Sequence, residues 1–353
     1  MIKLLIVDDS ALMRRQLSTM FNEEGDFEIR FARNGKEAVE ENQLFQPDVV
    51  TLDINMPEMD GLTALSLIMA ERSVPVIMVS SLTEKGALAT FEALALGAVD
   101  YVAKPSGTIS LTINDIKKEL VSKVRSAARS KIKTTRSIFS NRPTVEKPKS
   151  VERATIIRRG GVAGNGVVVI GVSTGGPRTL EDILPLFPAD FPYPVLVAQH
   201  MPSSFTLPFA NRMNDLCELT VVEAARPTAI EAGFIYIGKG GADMTIAQRS
   251  GKPTIIPKPE NKEFLWHPSV ELLGRSVLEN YEASKTIAVM LTGMGYDGSD
   301  AFAEIKRRGG KTIAESESSC VVFGMPAELI KKGGASVVLP SDRITKQILA
   351  WVK

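Results

Sequence analysis

Short apolar runs recur through the first 105 residues, at Leu4–Val7, Val49–Leu52, Val76–Val79 and Tyr101–Val102, and read as buried strands. Helical spacing fills the gaps. Leu12, Met13, Leu17, Met20 and Phe21 form one apolar stripe, and Leu62, Leu65, Ile68 and Met69 form another. Strand–helix alternation predicts a parallel sheet covered on both faces, with its functional crevice at the C-terminal ends of the strands. A helical pattern then begins near residue 111 and gives way to Ser, Thr, Lys, Arg and Pro with few apolar positions. Alternation returns near residue 166, with strands expected at Val167–Ile170, Val195–Ala198 and Ile287–Leu291. Between Gly233 and Pro257 short strands separated by turns predict inserted antiparallel hairpins. The chain of 353 residues thus reads as two doubly wound parallel α/β domains, residues 1–125 and 161–353, joined by a linker over 126–160. The second domain is expected to be Rossmann-like with a hairpin insertion.

The formal net charge of +1 conceals an uneven distribution. Residues 1–105 hold nine Lys/Arg against seventeen Asp/Glu, whereas residues 117–159 hold fourteen against three. The basic stretch reads as a solvated linker, or as a strip for an acidic surface. It has one aromatic, Phe139, and no recognisable DNA-binding fold, so no nucleic-acid partner is expected. Two cysteines, Cys217 and Cys320, exclude a disulfide framework and fit a reducing compartment. No apolar segment reaches the ~18–20 residues of a membrane span, and Met1–Asp9 is too short for a signal core, so a cytoplasmic protein without membrane insertion is expected. The two histidines, His200 and His267, exclude a three-histidine metal site and leave two candidates for a histidine base.

Three carboxylates follow apolar strands in the acidic domain, Asp8 and Asp9 after the first and Asp53 after the third. Brought together at a sheet edge they repel one another, which calls for a cation. Mg²⁺ suits oxygen ligands and keeps waters for a phosphate. Ser80 and Lys104 end the next two strands, where a hydroxyl and an ammonium can hold phosphoryl oxygens. A carboxylate offered to a phosphoryl donor is a nucleophile. Taken singly, Asp9 reads equally well as a helix cap and Lys104 as a surface charge.

The ordered set of Asp8-Asp9, Leu52-Asp53-Ile-Asn-Met-Pro57 with Asp60-Gly61, Ser80 and Lys104-Pro105 resembles the receiver domain of a two-component response regulator. The resemblance implies a flavodoxin-like fold and phosphorylation of Asp53 by a histidine kinase. It implies Mg²⁺ held by Asp9 and Asp53 with help from Asp8 and the backbone carbonyl of Asn55. Ser80 and Lys104 would hold the phosphoryl group, and Ser80 with Tyr101 would carry the switch.

In the second domain a strand is followed by Gly171-Val-Ser173-Thr-Gly-Gly-Pro177. This Gly-x-Ser-x-Gly turn projects Ser173 near a helix start, and it reads as a nucleophile, an anion or nucleotide site, or a plain turn. His200 ends the next strand, and Asp297 follows another in Leu291-Thr-Gly-Met-Gly-Tyr-Asp297-Gly298. Three polar groups at strand ends make a candidate nucleophile, base and orienting acid. Asp297 also reads as a cap for the helix that follows, and His267, before a helix start, reads as a structural residue. The order Ser, His, acid differs from the Ser, acid, His order of α/β-hydrolases.

These segments, with Gln199-His200-Met-Pro202 and Ser319-Cys-Val-Val-Phe-Gly-Met-Pro326, resemble the chemotaxis protein-glutamate methylesterase domain over about residues 165–350. The resemblance implies Ser173 as nucleophile, His200 as base, Asp297 as orienter and backbone N–H groups of Thr174 and Met294 as the oxyanion hole. It implies no cofactor in this domain. The substrates would be glutamate γ-methyl esters, and glutamines, on the cytoplasmic helices of chemoreceptors. Tyr296 stands where the family's pattern often has Asn, His267 where it often has Arg, and the 314–318 stretch is unusually acidic. A receiver joined to a hydrolase further suggests that it covers the Ser173 edge until phosphorylated. A regulator that binds a phosphorylated ligand at the 171–177 turn, or DNA through the basic stretch, explains the Ser, His, Asp set less well.

Overall fold

A computed structural model describes residues 1–81, 83–104, 110–129 and 166–352, with the side chains of 84 and 110–116 left out. Pro105 and most of the basic linker lie outside the described residues.

The first sheet comprises β1 (Ile2–Val7), β2 (Phe27–Ala32), β3 (Val49–Asp53), β4 (Val76–Ser80) and β5 (Asp100–Ala103), all parallel in the order β2-β1-β3-β4-β5. This is the flavodoxin-like order, in which the chain reverses direction across the sheet between β1 and β3. Helices α1 (Ala11–Asn22), α2 (Gly35–Phe45), α3 (Gly61–Glu71), α4 (Glu84–Leu96) and α5 (Ser110–Arg129) cover the faces. Every residue of β3 and β4 is buried, as a strand covered on both sides requires. In α1 the core stripe is Leu17, Met20 and Phe21, whereas Leu12, expected in it, points into solvent at 67% exposure. Ser10, not Asp9, caps α1, accepting from the Met13 N–H.

The second sheet has seven parallel strands in the order β15-β14-β13-β6-β7-β10-β8. These are β6 (Val167–Val172), β7 (Val195–Gln199), β8 (Thr220–Ala224), β10 (Phe234–Gly238), β13 (Thr286–Met290), β14 (Lys311–Glu315) and β15 (Val337–Leu339). Phe234–Gly238, expected in a hairpin, is a parallel strand of the main sheet, because Ile235 and Ile237 join its buried core. The hairpin proper is β11 (Ala242–Arg249) against β12 (Lys252–Pro259), with β9 (Thr228–Ala229) on its edge. Helices α6 (Gly176–Ile183), α7 (Ser203–Leu216), α8 (Val270–Asn280), α9 (Ser299–Arg307), α10 (Met325–Lys331) and α11 (Ser341–Val352) complete the layers. The chain runs from β6 outward through β7 and returns on the other side at β13, so the crevice between β6 and β13 is the switch point of this sheet.

The two sheets meet through α4 and α7. Phe91 of α4 lies 5.4 Å from Phe209 and 6.1 Å from Phe205, and Tyr101 of β5 stacks on Phe205 at 4.7 Å. All four rings are buried, and the apolar cores of the two sheets are continuous across this seam.

Candidate functional sites at the two switch points

At the β1/β3 switch point Asp8, Asp9 and Asp53 bring one carboxylate oxygen each within 4.8 Å of the others. Asp8 and Asp53 are buried and Asp9 is exposed. Lys104 reaches in from the end of β5, with Nζ 3.0 Å from Asp8 Oδ2 and 2.7 Å from Asp53 Oδ2. Burial raises the Asp53 carboxyl above the usual carboxylate range; Lys104 opposes the shift and Asp8 adds to it. Burial also works against charge on Lys104, but its bonds to Asp53 and Asp8 win and hold its ammonium above the ordinary lysine value. The cluster thus carries more negative charge than one lysine compensates, and its all-oxygen donor set fits a hard divalent cation. The Asn55 N–H lies 3.4 Å from Asp53 Oδ1, placing that backbone beside the cluster. The Ser80 hydroxyl donates to the Gly86 carbonyl in the first turn of α4 at 3.2 Å. The Tyr101 ring is at the seam, on Phe205.

At the β6/β13 switch point the register Val172↔Gln199 sets Ser173 beside His200 on adjacent strand ends. The His200 N–H donates to Val172 O at 3.1 Å, continuing the ladder past the strand. Gln199 Nε2 ties the two turns together, donating at 3.0 Å to both Ser173 O and His200 O. The Ser173 N–H donates to Thr292 O at 3.0 Å, which fastens the turn after β13 to the turn after β6. Gly293 makes this closeness possible: a Cβ there would lie 2.8 Å from Ser173 Cβ and 2.5 Å from Met325 Sδ. Thr292 Oγ1 donates to Thr174 O at 2.9 Å and accepts from the N–H groups of Val321 and Val322. The N–H groups of Thr174 and Met294 hydrogen-bond to nothing among the described residues.

His200 Nε2 is 2.9 Å from Asp297 Oδ2. Its Nδ1 is buried and has no hydrogen-bond partner among the described residues. Asp297 does not cap the helix that follows it, whose N-cap is Gly298. It accepts from the first turn of α8 instead. Its two oxygens accept from Val270 N at 2.7 Å, Glu271 N at 3.0 Å and the Ser269 hydroxyl at 3.1 Å. Burial works to raise this carboxyl, but the His200 bond and charge and the two α8 N–H groups outweigh it, so it sits below the usual carboxylate range. A carboxylate held ionised makes Nε2 the protonated nitrogen and leaves Nδ1 as an acceptor.

Trp266, Glu315 and Ser122 also surround this site, and the sequence assigned none of them a role; His267, the second histidine, does not join it. Trp266 stacks on His200 with ring centroids 5.9 Å apart and planes 5° from parallel. Buried Glu315 accepts from Thr292 N at 2.8 Å and from the Ser319 hydroxyl at 2.8 Å, and burial raises its carboxyl. His267 pairs with Asp243 at 2.9 Å rather than with the Ser173 edge. The receiver-side helix α5 also arrives here, with the Ser122 hydroxyl against Met294 Sδ.

Residues 4–114 match the response regulator receiver domain family, and residues 168–348 match the CheB methylesterase family. A protein-glutamate methylesterase/protein-glutamine glutaminase of Rhodospirillum rubrum is 53% identical, over 100% of this chain and 96% of its own length. One of Rhodopseudomonas palustris is 48% identical over 99% of this chain and 98% of its own. The crystal structure of the Thermotoga maritima CheB methylesterase catalytic domain aligns with 53% of this chain and 98% of its own, at 41% identity and a TM-score of 0.51.

Proposed function

The chain belongs to the protein-glutamate methylesterase/protein-glutamine glutaminase family and carries a receiver domain, and from that premise we propose that it is a phosphorylation-regulated serine hydrolase of chemotaxis adaptation. Its substrates are glutamate γ-methyl esters, and glutamine amides, on the cytoplasmic helices of chemoreceptors. The observation that carries this reading is the His200–Asp297 pair, whose Nδ1 has no partner among the described residues, on a strand end in register with Ser173.

Nδ1 of His200 takes the Ser173 hydroxyl proton as Oγ attacks the ester carbonyl. The ring is then an imidazolium, and Asp297, already ionised, stabilises it through Nε2–H. The oxyanion meets the N–H groups of Thr174 and Met294. The proton on Nδ1 passes to the leaving methoxide, methanol departs, and an acyl-Ser173 ester remains. Water, deprotonated by Nδ1, attacks that ester; as its C–O bond breaks the proton on Nδ1 returns to Ser173 Oγ and a free glutamate leaves. With a glutamine substrate the leaving group is ammonia.

In the receiver, Asp53 is the phosphoryl acceptor from a phosphorylated histidine kinase. Asp8, Asp9, Asp53 and the Asn55 carbonyl would hold Mg²⁺, which supplies the positive charge that lets a carboxylate approach a phosphoryl group. Lys104 binds a phosphoryl oxygen. Ser80 leaves the Gly86 carbonyl to bind another, and Tyr101 transmits the change. Before phosphorylation the receiver, residues 1–125, covers the Ser173 edge of the hydrolase, residues 161–353, to which a linker over 126–160 joins it. The Ser122 contact on Met294 supports this, since it places α5 beside the oxyanion turn. No helix among the described residues is long and apolar enough to cross a membrane, which fits action on receptor helices from the cytoplasm.

The test is incubation with methyl-labelled receptor membranes. Methanol release is expected from the wild type and not from Ser173→Ala. Release that survives this substitution overturns the assignment.

A further inference from the structure

We propose that Trp266 is a positioning residue that holds the His200 ring in its working orientation, and that the Asp243 carboxylate holds Trp266 in place. The inference rests on the reading of His200 as the base.

A histidine ring turns about χ2 in a broad, roughly two-fold well. Turned over, His200 would offer Cε1 to Asp297 and Cδ2 where Nδ1 now stands, and it would no longer be a base. To turn over, the ring must pass through a perpendicular orientation. Trp266 lies parallel to it within 5°, with centroids 5.9 Å apart, so the indole stands beside the space through which the ring must swing.

The indole is itself fixed. Gly295 has φ +87°, and a Cβ on it would lie 2.7 Å from Cζ2 and Cη2 of the indole, so the turn carrying Met294 and Asp297 rests directly on Trp266. Tyr296 meets the indole edge-on at 5.2 Å. Behind Trp266, the buried Asp243 of β11 collects three donors from one loop. Its Oδ2 accepts from Asn261 N at 2.9 Å, and its Oδ1 accepts from His267 Nδ1 at 2.9 Å and Ser269 N at 2.8 Å. Both ends of the 261–269 loop are thereby tied to one carboxylate, with Trp266 between them. The loop is otherwise open, with Leu265 72% exposed. His267 thus has a role beyond packing: it is the donor that anchors the neighbour of Trp266. Ser269 continues the chain of bonds, since its hydroxyl donates to Asp297.

The test uses the full-length protein with a phosphoryl donor and Mg²⁺, methyl-labelled receptor membranes as substrate, and Ser173→Ala as control. Trp266→Leu should lower kcat about tenfold or more, the scale of a misaligned catalytic group, with KM within about twofold. Trp266→Phe should recover most of the loss, and Asp243→Asn should behave as Trp266→Leu. The second readout is the imidazole ¹⁵N spectrum, simple because the chain has two histidines and His200→Gln identifies the other. His200 should show the Nε2–H form in the wild type and a tautomer mixture in Trp266→Leu. An unchanged kcat in Trp266→Leu, a loss carried by KM, or a kcat loss with the Nε2–H form intact overturns the proposal. Should Trp266→Leu fail to fold, Trp266→Phe and Asp243→Asn decide, and wild-type tautomer and kcat in both overturn it. Activity surviving in Ser173→Ala instead overturns the reading of the site.

Discussion

Replacing Asp297 by Asn changes one atom and should damage both catalysis and stability. Each carboxylate oxygen now serves two donors: Oδ2 takes His200 Nε2 and Val270 N, and Oδ1 takes Glu271 N and the Ser269 hydroxyl. An amide turns one of these oxygens into a donor. If the NH₂ faces His200, Nε2 must accept, the ring proton moves to Nδ1, and the base is blocked. If it faces Glu271, the tautomer survives but no charge meets the imidazolium. Either way one N–H in the first turn of α8 loses its acceptor, at a cost of about 1–3 kcal/mol, and the helix loses a negative charge at its start, about 0.5–2 kcal/mol more. We expect kcat to fall on the order of 10³-fold or more, with substrate binding little changed, and the unfolding free energy at neutral pH to fall by about 2–4 kcal/mol. The pH dependence has a definite sign. The folded-state carboxyl lies below its ordinary value of 3.8, so its contribution is complete above that pH and drains away as pH falls through the folded-state value. The stability gap between wild type and Asp297→Asn should therefore narrow in acid. Methanol release and denaturant titrations at neutral and acid pH measure both quantities. A kcat within tenfold of wild type, or equal stability at neutral pH, refutes the assigned role.

Asp53→Asn should abolish phosphoryl incorporation from a labelled donor while leaving basal ester hydrolysis measurable. It should also raise the thermal midpoint at neutral pH, because burial and Asp8 disfavour the charged form of Asp53 and an amide removes that charge; the gain should shrink as acid protonates the wild-type carboxyl. Tyr101→Ala removes a buried ring that stacks on Phe205 and should cost about 3–5 kcal/mol by analogy with other large-to-small core changes. Basal hydrolysis without a phosphoryl donor should rise, and an unchanged basal rate argues against restriction through this seam.

The strands buried on both faces, such as β3, β6 and β13, were legible because each is a short unbroken apolar run. β2 was not, because it lies at the sheet edge and alternates with exposed Glu28 and Arg30. β10 was misread as a hairpin strand because its partners β7 and β8 are remote choices that turn signals do not encode. Asp8, Asp53 and His200 were legible as polar residues at the ends of apolar strands, and Asp297 as one in the Gly-rich turn after β13. Trp266 was not, since it lies in a loop without periodicity, and its stacking on His200 is a tertiary contact that no spacing encodes. Nor does sequence spacing reveal that Asp297 accepts from the first turn of α8 rather than capping the helix it precedes.

The seam between the sheets limits how phosphorylation can act. Phe91 and Tyr101 are buried to 1% and 4% exposure. Exposing them alone costs about 1.5–3 kcal/mol each, before the facing surfaces of Phe205 and Phe209 are counted. A ligand-driven coupling supplies about 1–3 kcal/mol. The phosphoryl group on Asp53 is therefore too weak to separate the domains, and activation should loosen a smaller contact. The Ser122–Met294 contact is a single side-chain contact, far smaller than the aromatic seam, and it touches the oxyanion turn itself. Ser80 provides the start of such a change, since its hydroxyl must leave the Gly86 carbonyl of α4 to reach a phosphoryl oxygen. Amide hydrogen exchange with beryllofluoride and Mg²⁺ as the phosphoryl mimic distinguishes the two cases. Protection should fall in the 291–298 turn and in the part of α5 around Ser122, while α4 and α7 keep theirs and the radius of gyration stays constant. Simultaneous loss of protection in α4 and α7, with an expanded particle, would show that the domains part and that the energetic argument is wrong.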